Sequence, residues 1–242
     1  VGVWHYFLVT ADENFLVEMW PTVSATIYFA IVLQNTEGEI QWAISPEVKV
    51  DPMALLTGSS SIYMSLKCAL AISSFIGRKK PHWLSAFELL GNALRTKPHL
   101  FNMTKSRYAM DWFYPVLSGA LTGDAAQRRI EQYWKKFVIE AKGVRCVSDE
   151  PWVTIAETSE LVLTLAAMGS TQQARIVFNW IADRCFLDGS YWCGFTCPDM
   201  TIWPDDKMTW TNAVVLMAAD AIYQLTPAAG LFSHEYWQRQ GP

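Results

Sequence analysis

The chain has 242 residues, of which 51% are apolar and 17% charged, and its formal net charge at pH 7 is -4. This length suits one large or two small domains with a substantial core, and the composition excludes a disordered chain. The negative net charge gives no reason to expect a nucleic-acid partner. No apolar run approaches the roughly 18 residues that cross a bilayer, so we expect no transmembrane segment.

The chain carries five cysteines, an odd number in a large domain. Cys185, Cys193 and Cys197 lie beside Asp199, but they lack the Cys-x-x-Cys spacing that is typical of zinc sites. We therefore expect free thiols, no metal, no cofactor and a reduced, cytoplasmic protein. Because the sequence starts at Val1, without an initiator methionine or a signal-peptide pattern, we also expect that an N-terminal portion is missing.

Apolar helical segments alternate with polar loops along the chain. Asp12-Glu13 opens the first helix, over 15–33, and Pro21 is expected to divide or kink it. Helical spacing of apolar residues and Gly or Pro boundaries predict seven more helices, over 62–76, 81–94, 115–121, 124–138, 151–168, 171–185 and 208–225. No strand is predicted with conviction, and residues 143–147 are the one β-like tract.

Helices of this length with alternating short and long connections predict antiparallel helical hairpins. Two of the loops combine Gly, carboxylates and Trp, namely 34–42 and 187–192. We therefore predict an all-α, α/α-toroid-like array of hairpins, possibly incomplete, that forms a single domain over residues 1–242.

The two Gly/Trp loops resemble the Gln-Trp repeats of squalene-hopene cyclases. Segments 110–117, 144–154 and 188–192 look like bacterial proteins described as prenyltransferase-like or terpenoid-cyclase-like toroids, and the likeness covers about residues 12–232. The resemblance implies a toroid and an isoprenoid substrate. The motifs of those enzymes are missing, because Asp205-Asp206 supplies only the end of Asp-x-Asp-Asp. Asp183, Cys185 and His234 imitate the zinc set of protein prenyltransferases, but their neighbours do not match.

The stretch from Thr10 to Gln34, followed by Gly38-Glu39, also resembles the glucoamylase-like six-hairpin glycosidases. That resemblance implies the same barrel of hairpins, with carboxylates gathered at one end. Both families imply twelve helices in a full ring. The eight predicted here indicate an incomplete ring, a missing N-terminal portion or a smaller variant.

We expect a cavity mouth built from the loops around 36–47, 104–114, 145–157 and 186–207. A glycosidase needs two carboxyl groups, one protonated and one ionised. The candidates are Asp111, Glu157, Asp188 and Asp206, with Asp111 and Glu157 as the favoured pair. Aromatic rings suit sugar faces and carbocations, and the expected substrate-binding residues are Trp42, Trp112, Tyr114, Trp152, Tyr191, Trp192 and Trp203.

Each candidate carboxylate has a structural alternative. Asp111 can cap the helix that begins near Tyr114, and Glu157 can form a capping box with Thr154. Asp188 suits a turn with Gly189, and Asp206 suits a helix N-terminus.

Glu157 and Glu160 also share one helix face in an apolar stretch. There a buried carboxyl group would have the raised pKa that an acid catalyst requires.

The leading hypothesis is a carbohydrate-active protein, a glycoside hydrolase that uses paired carboxylates in an aromatic-lined cavity. An enzyme that acts on an isoprenoid is the first alternative, and its family resemblance implies an apolar lumen. A non-catalytic helical scaffold that binds a partner or another copy of itself is the second. The expected partner is therefore a small-molecule substrate, a sugar or an isoprenoid. The sequence is also compatible with a homo-oligomer.

Overall fold

The computed structural model describes residues 1–47 and 49–241. Within them lie ten α-helices, eight of which overlap the predicted segments. Their bounds are α1 Gly2–Thr10, α2 Glu13–Val32, α3 Leu56–Phe75, α4 Pro81–Thr96, α5 Ala109–Leu117, α6 Gly123–Phe137, α7 Ile155–Ala167, α8 Thr171–Asn179, α9 Thr209–Tyr223 and α10 His234–Gln240.

Six short strands accompany the helices, contrary to the prediction of a chain without convincing strands. A two-stranded antiparallel sheet joins β1 Gln41–Ile44 and β2 Val50–Ala54. A four-stranded antiparallel sheet has the order β3-β4-β5-β6, with bounds Val138–Ile139, Gly143–Arg145, Trp152–Thr154 and Gly194–Thr196. The tract 143–147 is thus confirmed as β structure, and its partners were missed because strands of two or three residues carry little periodicity.

The helices form a partial ring of hairpins. Helices α3, α5, α7 and α9 pack against one another in succession as the inner row, while α4, α6 and α8 each pack outside one of them. The sequence explains the two rows. Helix α7 buries apolar residues around most of its circumference, whereas α6 buries Ala126, Ile130 and Phe137 and is otherwise largely polar. The predicted all-α, α/α-toroid-like array is confirmed, with the small sheets as additions.

The loops that lead from an outer to an inner helix all lie at the N-terminal ends of the inner helices. They include both sheets and two 3-10 helices, Pro98–Leu100 and Met103–Arg107. Backbone hydrogen bonds connect these loops, since Asn102 N–H donates to Ala54 O and Tyr108 forms a β-bridge with Val147. One end of the ring therefore carries the loops that the sequence assigned to the mouth.

Helix α5 begins at Ala109, six residues before its predicted start, and continues through Pro115. Proline has no N–H, so the carbonyl of residue 111 loses its helical partner. Arg129 of α6 replaces it: its guanidinium donates to Asp111 O at 2.7 Å and to Trp112 O at 2.7 Å. The sequence suggests Pro115 as the start of a helix, but the contact from Arg129 allows this proline to lie inside α5.

Helix α2 also runs uninterrupted through Pro21, so the predicted division is wrong. The helix has 20 residues, and an 18-residue window within it has a mean hydropathy of 1.5. Only 17% of that window is buried, and the exposed apolar side chains are Val17, Tyr28, Phe29 and Val32. By length and composition α2 is a candidate membrane span. The expectation that no segment reaches that length is therefore wrong for this helix.

Candidate active site

A central cavity of about 370 Å³ opens among the inner helices. Its wall is mainly apolar, with Met64, Leu117, Leu163, Val214, Met217 and Phe232 among the lining residues. Polar groups on the wall come from Ser60, Ser61, Ser65, Tyr114, Ser118 and Glu160. Among the described lining residues, Glu160 supplies the only carboxyl group, and it was not among the predicted site residues.

Glu160 lies on α7 and faces Tyr114 of α5. The Tyr114 hydroxyl donates to Glu160 Oε1 at 2.6 Å. Burial raises the pKa of Glu160 to about 8, partly opposed by this hydrogen bond and assisted by the negative charge of Glu157. Burial and the neighbouring carboxylates also raise the pKa of Tyr114. Glu160 is therefore a neutral acid at pH 7, on the wall of the cavity that Tyr114 was predicted to line.

Glu157 lies in the first turn of α7, where the chain leaves β5. The predicted capping box is not formed, because Thr154 makes no side-chain bond to a helix N–H and its hydroxyl instead donates to Glu157 Oε2. Burial, followed by the charge of Glu157, raises the pKa of the Cys146 thiol. Burial raises the pKa of Cys193 too, with Glu157 and then Asp206 as electrostatic causes. The charges of Glu157 and Asp206 thus both act on this thiol.

Asp111 has a different environment. Its side chain is 6% exposed, and Oδ1 accepts from Thr57 Oγ1 at 2.6 Å and from Thr57 N at 3.3 Å. Thr57 is in the first turn of α3, so Asp111 caps the neighbouring helix rather than its own. Burial raises the pKa of Asp111, while its hydrogen bonds to Thr57 oppose that shift. Asp111 borders a separate cavity of about 150 Å³ beside Trp112 and Arg129, so the structure does not bring it together with Glu157.

Asp188 and Asp206 lie in the long loop between α8 and α9, and both are exposed. Asp188 accepts from Lys207 Nζ at 2.6 Å and from Ser190 Oγ at 2.6 Å, and these bonds hold its pKa below the ordinary value. The turn and the ion pair account for this side chain. Asp206 is the loop carboxylate whose charge, after that of Glu157, helps raise the pKa of Cys193.

The predicted aromatic residues divide between the rim and the core. Trp203 is 58% exposed, and its ring meets that of Trp152 edge-on at 5.1 Å, while Trp152 Nε1 donates to Trp203 O at 2.8 Å. Trp42 is 54% exposed on β1. Tyr191 and Trp192 are half-buried, and Tyr191 N donates to Asn212 Oδ1.

Trp112 lies in the core, contrary to the prediction that it lines the substrate cavity. It is 2% exposed, stacks on Phe137 and donates from Nε1 to Arg129 O. Trp210, which was not predicted, begins α9, is 61% exposed and lines the central cavity. Its position at a predicted helix start, beside the acidic loop, was the available signal.

No group of three or more His, Cys, Asp and Glu side chains within residues 1–47 and 49–241 is arranged to hold a metal ion. His234 Nε2 donates to Val116 O at 2.7 Å, and Asp183 pairs with Arg184. The prenyltransferase-like zinc set is therefore not assembled. The five cysteines are free thiols, and the cytoplasmic location stays a prediction.

No family model matches the chain. The chain is 46% identical over 231 residues to a protein of Mycolicibacterium hassiacum named MMP endo-(1,4)-3-O-methyl-alpha-D-mannosidase. The alignment covers 96% of this chain but 64% of that relative, so the chain spans slightly less than two thirds of its length.

Two similar solved structures are of GH76A alpha-1,6-mannanase from Salegentibacter sp. HEL1_6. An inactive variant in complex with alpha-1,6-mannotriose matches with a TM-score of 0.63 and 12% identity, over 88% of this chain and 67% of that one. The protein without the inactivating substitutions matches with a TM-score of 0.60 and 12% identity, over the same shares. At this identity the likeness shows the fold. These relatives are glycosidases, and they give no support to the prenyltransferase or cyclase resemblance.

Proposed function

We propose that the chain is a glycoside hydrolase acting on α-mannosides. The observation that carries the proposal is the placement of Glu160 on the wall of a cavity that Tyr114 and Trp210 also line, with Glu157 about one turn away, toward the N-terminus of α7. Carboxyl groups in a concave site with aromatic walls suit glycosidic bond cleavage. The 46% identical relative, named as an endo-mannosidase, supports the same reaction.

The proposed substrate is a chain of (1,4)-linked mannose residues that carry 3-O-methyl groups. The relative's name supplies the linkage and the methyl group. The cavity supports the methyl group, because its wall is mainly apolar and a methyl ether has no hydroxyl proton to donate. A polymer would extend beyond a cavity of about 370 Å³, and the exposed rings of Trp42 and Trp203, in loops that lead into inner helices, are the proposed surface for its outer residues.

Glu157 and Asp206 are the proposed catalytic pair. Both charges act on the Cys193 thiol, although the two carboxylates come from different segments of the chain. One of the two carboxyl groups would protonate the leaving oxygen and the other would act as base or nucleophile; Glu157 is half-buried and Asp206 is exposed. Asp188 remains a candidate from the sequence, but its ion pair with Lys207 leaves it less available.

The test is hydrolysis of two substrates by the purified chain. One is a (1,4)-linked 3-O-methylmannose oligosaccharide and the other is alpha-1,6-mannotriose, with the products followed by mass. We expect cleavage of the first at internal bonds and its loss in Glu157→Gln and Asp206→Asn. Glu131→Gln on the outer helix α6, where Glu131 contacts Gln127, is the matched control. Cleavage of neither substrate, or full activity in Glu157→Gln, would overturn the proposal.

A further inference from the structure

The wall of the central cavity offers few groups that can recognise a sugar hydroxyl. Apart from serine hydroxyls and the indole N–H of Trp210, Tyr114 and Glu160 are the hydrogen-bonding side chains among the described lining residues. They come from adjacent inner helices and meet across the α5–α7 packing. Their hydrogen bond of 2.6 Å fixes both groups at one point of an otherwise apolar surface.

The geometry leaves hydrogen-bonding capacity free on both partners. Tyr114 donates its one proton to Glu160 Oε1, so its own oxygen can still accept. The bond from Tyr114 engages Glu160 Oε1, so in the neutral acid Oε2 carries the proton and can donate it. Together the two groups offer one donor and one acceptor, which is the complement of a hydroxyl group.

We propose that Tyr114 and Glu160 are a specificity pair that binds one free hydroxyl of the sugar, while the apolar wall receives its alkylated positions. This inference rests on the proposed function and adds to it the recognition of a partly methylated mannose. A fully methylated ring would leave both polar groups unpaired in an apolar cavity. A site built to bind a hydroxyl rejects analogues that lack it much more strongly than an apolar pocket rejects an additional group.

The pair makes substrate binding depend on pH. The titratable groups around Glu160 are Glu157 on the same helix, Tyr114 on α5, and Cys146 in the loop before α7. The lining residues from α3 and α9 include no acid or base, and the α-amino group of Val1 borders the cavity. When Glu160 ionises above pH 8, its donor is lost and a second negative charge appears near Glu157. KM should therefore rise above that pH.

The experiment compares the wild type with Glu160→Gln, Glu160→Leu and Tyr114→Phe from pH 6 to 9.5, using the 3-O-methylmannose oligosaccharide. We expect the wild-type KM to rise about tenfold above pH 8 and the Glu160→Gln KM to lack this rise, because an amide keeps a donor at every pH. Glu160→Leu should raise KM at least about tenfold at every pH, and Tyr114→Phe should raise it less, since a neutral acid remains. Thermal midpoints identify any variant that has not folded.

Two outcomes separate this inference from the proposed function. If the wild type cleaves the substrate, but its KM does not change with pH or Glu160→Leu leaves KM unchanged, the specificity pair is wrong and the hydrolase stands. If the wild type neither cleaves nor binds the oligosaccharide in calorimetry, both are wrong. Binding to inactive Glu157→Gln supplies a Kd that should also rise with pH, but from a lower pH, because the charge of Glu157 no longer raises the pKa of Glu160. The specificity pair is thus measured independently of turnover.

Discussion

The first turns of α5 and α7 carry the same kind of residue and put it to different uses. Asp111 and Glu157 both occupy the third position of an inner helix, and the sequence favours them as one catalytic pair. Asp111 turns to the next helix and caps its N-terminus through Thr57, whereas Glu157 turns to the mouth and binds the hydroxyl of Thr154. The two carboxylates differ in role because a neighbouring helix start lies within reach of Asp111.

The largest expected effect is on turnover in Glu157→Gln. Loss of a catalytic carboxyl group should reduce kcat by about 10²–10⁴-fold. The thermal midpoint should change little, because the amide oxygen still accepts from Thr154. Steady-state kinetics and a melting curve on the same preparation check both statements, and a large fall in the midpoint with modest loss of kcat would instead place Glu157 with Asp111 as a structural residue.

Glu160 shows what burial does to a carboxyl group within α7. Its pKa is 4.5 in the unfolded chain and about 8 in the folded one, so the folded state holds the proton more tightly. Stability from this group is therefore fully present below pH 4.5 and is lost progressively as the pH rises to 8.

The Glu160→Gln variant does not titrate at this position. The free energy of unfolding of the variant, relative to that of the wild type, should therefore increase by about 3 kcal/mol between pH 5 and 8. Urea unfolding at several pH values measures the difference. A constant difference between the two proteins would mean that Glu160 is ionised in the folded state and solvated by the cavity.

Asp111→Ala tests the other half of the comparison. Removing a capping carboxylate that accepts two hydrogen bonds should lower the free energy of unfolding by about 1–3 kcal/mol. The folded fraction should keep its kcat, because Asp111 does not reach the central cavity. Urea unfolding combined with kinetics at a temperature where the variant is folded provides the measurement.

Thr57→Val is the matched partner of that substitution. It removes the hydroxyl that donates to Asp111. The double variant, with Asp111→Ala and Thr57→Val together, should lose less unfolding free energy than the sum of the losses in the two single variants. Additive effects, or a loss of kcat in folded Asp111→Ala, would return Asp111 to the catalytic pair.

The fold was predictable because apolar spacing and Gly or Pro boundaries are local signals, as the matching bounds of α4, α6 and α9 show. The order of helices and loops along the chain was enough to predict which loops lie at one end of the ring. The roles of individual carboxylates were not predictable, since they depend on contacts between residues that lie far apart in sequence. Thr57 is 54 positions from Asp111, and Tyr114 is 46 positions from Glu160. The start of α5 was predicted wrongly for the same reason, because Arg129 of another helix donates to the Asp111 carbonyl that Pro115 leaves free.

Asp188→Asn should have the smallest effect of the four carboxylate substitutions. Asp188 is exposed, and its partner Lys207 is exposed as well, so solvent screens their attraction. Asparagine keeps the oxygen that accepts from Ser190, and the turn at Gly189 should persist. We expect kcat within about twofold of the wild type and an unchanged melting curve, with the residual effect weakening as salt is added. A loss of kcat comparable to that of Glu157→Gln would show that the loop moves when substrate binds and releases Asp188 from Lys207.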